Sequence, residues 1–272
     1  MVSRNLFACE NDCNISAKLI RYNFAMFRLM CITAHPDDEA GNFGGILRKY
    51  RDRGCETSVV CLTPGQAASH RGGAKTDQEL AEMRKREFVA ACAILRVSRP
   101  VILSYPDGQL YRQELNRVVY DLTREVRQFR PQVVLTFGPE GGVTGHPDHS
   151  VAGVFAALAY HWAGRANRYR DQIGSGVAPY RAQKLYYASS DFALPGREPI
   201  SFPPATTTID IGEHLETKIA AFKAHHSQAP LWPVFEEHAR KRGNRETFHL
   251  AAAAGPGPLR PESDLLECIE DD

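Results

Sequence analysis

The chain reads as an α/β protein: a three-layer, mostly parallel, Rossmann-like sheet with helices on both faces. Two observations carry that reading. Apolar runs and amphipathic stretches alternate along residues 29–164 as strand and helix, four times in succession. The apolar runs are also continuous, as strands covered on both faces must be, where a half-exposed strand would alternate. With 272 residues, 43% of them hydrophobic and 24% charged, the chain is long enough to bury such a core.

The first strand covers 29–34. A loop and a helix bearing Ile46, Leu47 and Tyr50 follow, and Gly54 is placed to end that helix. The second strand, 57–62, is broken by Pro64 and Gly65. A polar loop leads to a helix over 77–95. Pro100 precedes a short strand at 101–103. The helix over 112–129 lines up Leu115, Val118, Val119, Leu122 and Val126 on one face, and Pro131 stops it. Residues 133–137 form a buried strand, and a glycine-rich loop leads to an alanine-rich helix over 148–164. Beyond 166 the pattern weakens: 185–189 and 206–211 read as strands, 213–225 as a helix and 192–204 as loop. Residues 1–27 are an extension without a clear period, 28–250 the domain, and 251–272 a tail. The acidic residues of that tail (Glu262, Asp264, Glu267, Glu270, Asp271 and Asp272) suit a solvated end.

Composition removes several function classes. Lys and Arg total 33 against 32 Asp and Glu, a net of +1, so no global field holds nucleic acid. The basic runs at 84–86 and 240–242 are short and fit solvated helix faces. No run of about 20 apolar residues occurs, so a membrane span is not expected, and residues 1–27 carry no secretory pattern. The seven cysteines are odd in number and lack a CxxC pair, which fits reduced thiols in a cytoplasmic protein. A nucleotide-binding GxGxxG or P-loop after the first strand and a GxSxG elbow are all missing.

Two clusters carry the chemistry. His35-Pro36-Asp37-Asp38-Glu39 follows the first strand directly. Three carboxylates packed so closely repel one another unless a cation lies among them. His35 and Asp38, three residues apart, can turn to one side as an imidazole and carboxylate pair for a first-row metal, which leaves Asp37 free for acid/base work. Helix capping by Asp37 or Asp38 is the competing reading. Gly145-His146-Pro147-Asp148-His149 follows the fourth strand, again opens a helix, and repeats the three-residue spacing with His146 and His149. If strands one and four are neighbours, the two clusters face each other at the switch point of the sheet. Three protein ligands with one open position make a catalytic zinc site.

The two motifs together resemble the signature pair of the PIG-L/LmbE family of zinc-dependent sugar de-N-acetylases. Gly44-Gly45 and His225-His226-Ser227-Gln228 add to the likeness, which extends over about 29–228. The resemblance implies a metal-dependent amide hydrolase that removes acetyl from an N-acetylglucosamine-type conjugate, a small-molecule substrate. It makes His35, Asp38 and His149 the ligands of Zn2+, with Fe2+, Co2+ or Mn2+ accepting the same donors. It makes Asp37 the general base that acts on zinc-activated water, and His146, as imidazolium, the oxyanion stabiliser, with Asp148 tuning that imidazole. It brings Arg84, Asp107 and His225 to the substrate. Simpler roles compete at these three positions: an ion pair with Glu87, a Pro-Asp-Gly turn and a helix-dipole partner respectively. Thr144 departs from the Tyr of mycothiol-pathway members, so the conjugate stays open. Family precedent suggests a homo-oligomer. The alternative to an enzyme is a sugar- or metal-binding module that kept the fold.

Overall fold

The alternation of strands and helices is realised as one seven-stranded sheet. The computed structural model describes residues 27–190, 200–241, 244–255 and 261–269. The strands are β1 (Arg28–Thr33), β2 (Glu56–Cys61), β3 (Arg99–Ile102), β4 (Val133–Phe137), β5 (Lys184–Ser189), β6 (Thr207–Asp210) and β7 (Arg245–Ala253), and they lie side by side in the order β3-β2-β1-β4-β5-β7-β6. Strands β1 to β5 pair in parallel. β7 runs antiparallel to both β5 and β6. The helices are α1 (Asp38–Asp52), α2 (Asp77–Ile94), α3 (Leu115–Phe129), α4 (Pro147–Ala163), α5 (Arg170–Gly174), α6 (Leu215–Lys223) and α7 (Trp232–Lys241).

β1 feeds two cores at once. Leu29 and Cys31 pack with Phe43, Leu47, Phe88 and Phe222 on one face. Met30 and Ile32 pack with Val119, Leu122, Val126 and Phe155 on the other. The period-two alternation of a strand sends successive side chains to opposite faces, so both must be covered by helices. The chain leaves β1 toward β2 and β3 on one flank and returns with β4 on the other, where Leu29 faces Val133 and Cys31 faces Leu135. The expected switch point therefore exists, and the loops after β1 and β4 open onto one crevice.

Local chemistry accounts for the element ends. Thr76 and Glu79 form a reciprocal capping box at the start of α2. Arg130, in the left-handed region, closes α3 just before Pro131. Pro100 falls inside β3, which tolerates it because β3 lies at the edge of the sheet.

Four expectations need correction. β7 is unforeseen because its sequence, Arg-Glu-Thr-Phe-His-Leu-Ala-Ala-Ala, is poor in β-branched residues; pairing on both sides makes it a strand. It runs to Ala253, past the domain end placed at 250. The acidic tail is not a solvated end where it is described. Glu262 accepts hydrogen bonds from Lys184, Tyr186 and Thr207, Asp264 accepts from Tyr50 and Arg53, and Leu265 is fully buried. The helix expected over 213–225 begins as a 3-10 turn at Gly212–His214 and continues as α6. α5 and α7 are additional. Residues 1–26 of the expected extension and 191–199 of the expected loop lie outside the described residues.

Candidate active site and metal centre

The site forms where the ends of β1 and β4 meet. Asp38 is the first residue of α1. Its Oδ2 accepts from the backbone amides of Ala34 and His35 at 3.1 and 2.8 Å, which leaves Oδ1 facing the crevice. His149 lies in the first turn of α4. Its Nδ1 lies 3.2 Å from the carbonyl of Gly141, so Nε2 points inward. Its ring stacks on Phe137 at 4.1 Å. Gly141 has a φ of 82°, and a Cβ there would meet the His146 carbonyl at 2.7 Å, so this turn needs glycine.

Three side chains converge. His35 Nδ1 is 3.2 Å from His149 Nε2, His149 Nε2 is 3.1 Å from Asp38 Oδ1, and His35 Nδ1 is 3.7 Å from the other carboxylate oxygen, Asp38 Oδ2. The two shorter separations match the edge of a tetrahedron around an ion whose ligands sit at about 2.0–2.2 Å. The imidazoles of positions 35 and 149, 114 residues apart in sequence, are thus brought within one coordination sphere. Among the described residues, the sets whose ligand atoms all lie within 4.8 Å of one another are His35, His146 and His149, and His35, Asp107 and Asp148.

The second of those sets serves the far side of His35. Its Nε2 lies 3.0 Å from Asp107 Oδ1 and 3.4 Å from Asp148 Oδ2. The two carboxylates are themselves fixed: Ala67 N donates to Asp107, and Gly108 N and Leu110 N donate to Asp148. This is the carboxylate-histidine arrangement that orients a metal-binding imidazole and raises its basicity. Burial alone would lower the His35 pKa, but Asp107, Asp148 and Asp38 overcome it and push it up to about 10. Negative charge here exceeds what the protein neutralises, and a dication fits the donor set. Burial works against the Asp38 carboxylate too, yet His149 and His35 hold it well below the usual range.

Asp37 sits beside these donors in a strained backbone, with φ at 106°, where a residue with a Cβ is disfavoured. Its amide donates to Glu39 Oε2 at 3.0 Å, and Glu39 Oε1 lies 2.6 Å from His225 Nε2. Arg84 Nη2 reaches Asp37 Oδ2 at 2.9 Å, and the same guanidinium donates to the carbonyls of Pro36 and Gly65. Burial raises the Asp37 carboxyl, Arg84 opposes it, and the balance places it at about 6.

His146 is the N-cap of α4, and its Nδ1 accepts the Asp148 amide at 3.1 Å. The neutral tautomer therefore carries its proton on Nε2. Burial, His35 and His149 lower its pKa, so the imidazolium expected from sequence gives way to a neutral ring with one N–H to donate.

All nine sequence-designated residues fall in or against this region, and four of them have partners that the sequence reading did not foresee. Asp148 turns its carboxylate to His35, not to the ring of His146. Asp107 holds His35 and the loop amide of Ala67, where a sugar hydroxyl was expected. Arg84 pairs with Asp37; Glu87, the alternative partner, accepts from Ser227 instead. His225 is fully buried against Glu39, behind the crevice wall, and touches no substrate space. The sequence reading gives Glu39 only as one of three clustered carboxylates, with no role of its own. Its only signal was that it closes the same acidic run.

The crevice is a cleft of about 540 Å3. His35, Asp37, Asp38, Asp107, His146 and His149 line one part of it. His70 and His238, which the sequence gave no role, also border it.

Relatives agree with this architecture. Residues 30–160 match the PIG-L family, described as GlcNAc-PI de-N-acetylase. A diacetylchitobiose deacetylase of Thermococcus kodakarensis is 30% identical, covering 78% of this chain and 75% of that protein. A 1D-myo-inositol 2-acetamido-2-deoxy-alpha-D-glucopyranoside deacetylase of Catenulispora acidiphila is also 30% identical, covering 82% and 88%. The solved N,N'-diacetylchitobiose deacetylase from Pyrococcus horikoshii shares the fold, with a TM-score of 0.71 and 24% identity over 82% of this chain and 83% of that one. With the paired motifs meeting at the switch point of the sheet and a relative of this similarity spanning most of both chains, the protein belongs to the PIG-L/LmbE family.

Proposed function

We propose that the protein is a metal-dependent deacetylase that removes acetyl from an N-acetylglucosamine-type conjugate. The observation that carries the proposal is the meeting of His35, Asp38 and His149, with His149 Nε2 within 3.2 Å of both His35 Nδ1 and Asp38 Oδ1 and with Asp37 lining the same cleft. The nitrogen and oxygen donor set suits Zn2+ first, and Fe2+, Co2+ or Mn2+ as well. When bound, the ion supplies a Lewis acid for the attacking water and the scissile carbonyl.

The chain's own residues do the rest. Asp37 takes a proton from the attacking water, then delivers it to the nitrogen of the leaving amine as the C–N bond breaks. Arg84 keeps that carboxylate ionised and aimed. His146 donates its Nε2–H to the oxygen on which negative charge develops. A neutral imidazole at a helix N-terminus can act in this way without giving up its proton. Asp107 and Asp148 lock the tautomer of His35. Acetate and a free amino sugar conjugate leave.

The buried, unpaired thiols of Cys31, Cys55, Cys61 and Cys92 support a cytoplasmic setting. None of the described helices is long and apolar enough to cross a membrane. An amine-release screen across N-acetylglucosamine conjugates, using metal-reconstituted protein, tests the proposal. Release of acetate and amine in equal amounts is expected. Binding of these conjugates without release would leave a sugar-binding module instead.

A further inference from the structure

The catalytic groups occupy only one side of the cleft. The other side is built by α6, α7 and the segments flanking them, and its character is different. Ile211, Leu215, Phe222, Leu231, Val234 and Phe235 face into the same space. Leu231 is 38% exposed and Val234 52%, so apolar area stands open to water here. Phe222 and Phe235 stack at 3.8 Å and make the wall rigid. The ammonium of Lys218 on this side is engaged at 2.6 Å by the buried carboxylate of Glu246. A second sugar or an inositol ring would call for convergent hydrogen-bonding groups. Gln228, His238 and Arg245 border the same cleft, but the stretch formed by the six apolar residues presents aliphatic and aromatic carbon.

We infer that the cleft has an apolar subsite that seats an extended alkyl or aryl group carried on the glycosidic side of the sugar substrate, since in the proposed reaction the nitrogen carries only acetyl. The inference rests on the deacetylase reading and deepens it. Its occupant is argued from continuity: the apolar wall and the His35, Asp37 and His149 side chains line one cavity, so a molecule whose amide lies at the latter reaches the former. Water leaves the wall when the group enters, and each seated methylene raises kcat/KM about fourfold, mostly through KM.

The test uses two homologous series with the metal-loaded full chain: methyl to octyl β-glycosides of N-acetylglucosamine below their micelle concentrations, and glucosamines N-acylated from acetyl to octanoyl. N,N'-diacetylchitobiose is the polar comparison. A rising slope is expected in the glycoside series, and a slope that rises only in the N-acyl series would overturn the assignment to the glycosidic side. Val234→Asp, at a half-exposed position that tolerates a charge, should flatten the slope, whereas Val89→Asp, exposed on α2 away from the cleft, should not. Calorimetric binding of the same glycosides to the Asp37→Asn protein gives the slope without turnover. If that slope appears but no amine is ever released, the deacetylase reading fails and the subsite stands. Flat slopes in both series, a preference for the chitobiose, or a slope indifferent to Val234→Asp would overturn the subsite. So would flat slopes accompanied by a change in oligomeric state of Val234→Asp, which would mark the wall as a contact between copies of the chain.

Discussion

Arg84→Met separates two roles for one buried cation. Arg84 is 3% exposed, and its Nη2 lies 2.9 Å from Asp37 Oδ2. Two unit charges roughly 4 Å apart in an effective dielectric of about 20 attract by about 4 kcal/mol. An Arg beside a carboxylate typically lowers its pKa by about 1–3 units. Removing the guanidinium should return that shift. Asp37 acts as a base only when deprotonated, so its acid limb should move to higher pH by about 1–3 units. The bound ion pulls the Asp37 pKa down in both proteins and largely cancels in the difference. Near neutral pH the rate should fall by about 2- to 90-fold, then recover toward wild type as pH rises. The assay is kcat/KM for amine release from pH 5 to 9.5. Arg84→Lys, which keeps the charge, should stay near the wild-type profile. A loss equal at every pH, with KM raised, would refute this reasoning and make Arg84 a contact to the sugar. Thermal unfolding of each variant guards against a fold defect, because Arg84 also bonds the carbonyls of Pro36 and Gly65.

Three further outcomes follow from the same geometry. Asp37→Asn should keep one metal per chain by elemental analysis while kcat falls at least about 100-fold, whereas His149→Ala should lose the metal; parallel loss in both would mean base and ligand are confused. Asp107→Asn should weaken metal affinity by about 10- to 100-fold in a chelator competition, because His35 loses its orienting partner; unchanged affinity with a raised KM would restore the sugar-contact role. His225→Ala leaves Glu39 buried without its cation, which costs about 3–5 kcal/mol and lowers Tm on the order of 10 °C. KM should hold within about twofold, and a raised KM at an unchanged Tm would return His225 to the substrate.

The central part of the fold was legible because its signals are local. Continuous apolar runs mark β1, β2 and β4, α2 carries a Thr76–Glu79 capping box, and α3 has a clear apolar period. β7 was not legible, since an alanine-rich segment becomes a strand only when neighbours pair with it on both sides. The candidate metal donors could be named for a similar reason: motif spacing pairs His35 with Asp38 and His146 with His149, the family resemblance picks His149, and the sheet order brings the two loops together. The partners of those donors were not. Whether Asp148 turns to His35 or His146, and whether Arg84 reaches Asp37 or Glu87, depends on loop packing across 40 or more residues, which leaves no period in sequence. Glu39 and His225 form their pair across 186 residues, and nothing near either one announces the other.

Anomalous scattering from a metal-loaded crystal locates the ion directly. The account places it about 2.0–2.2 Å from His35 Nδ1, Asp38 Oδ1 and His149 Nε2, with Asp37 beside it and unligated. An ion held between Asp107 and Asp148 instead, or full amide hydrolysis by protein stripped of metal, would contradict it.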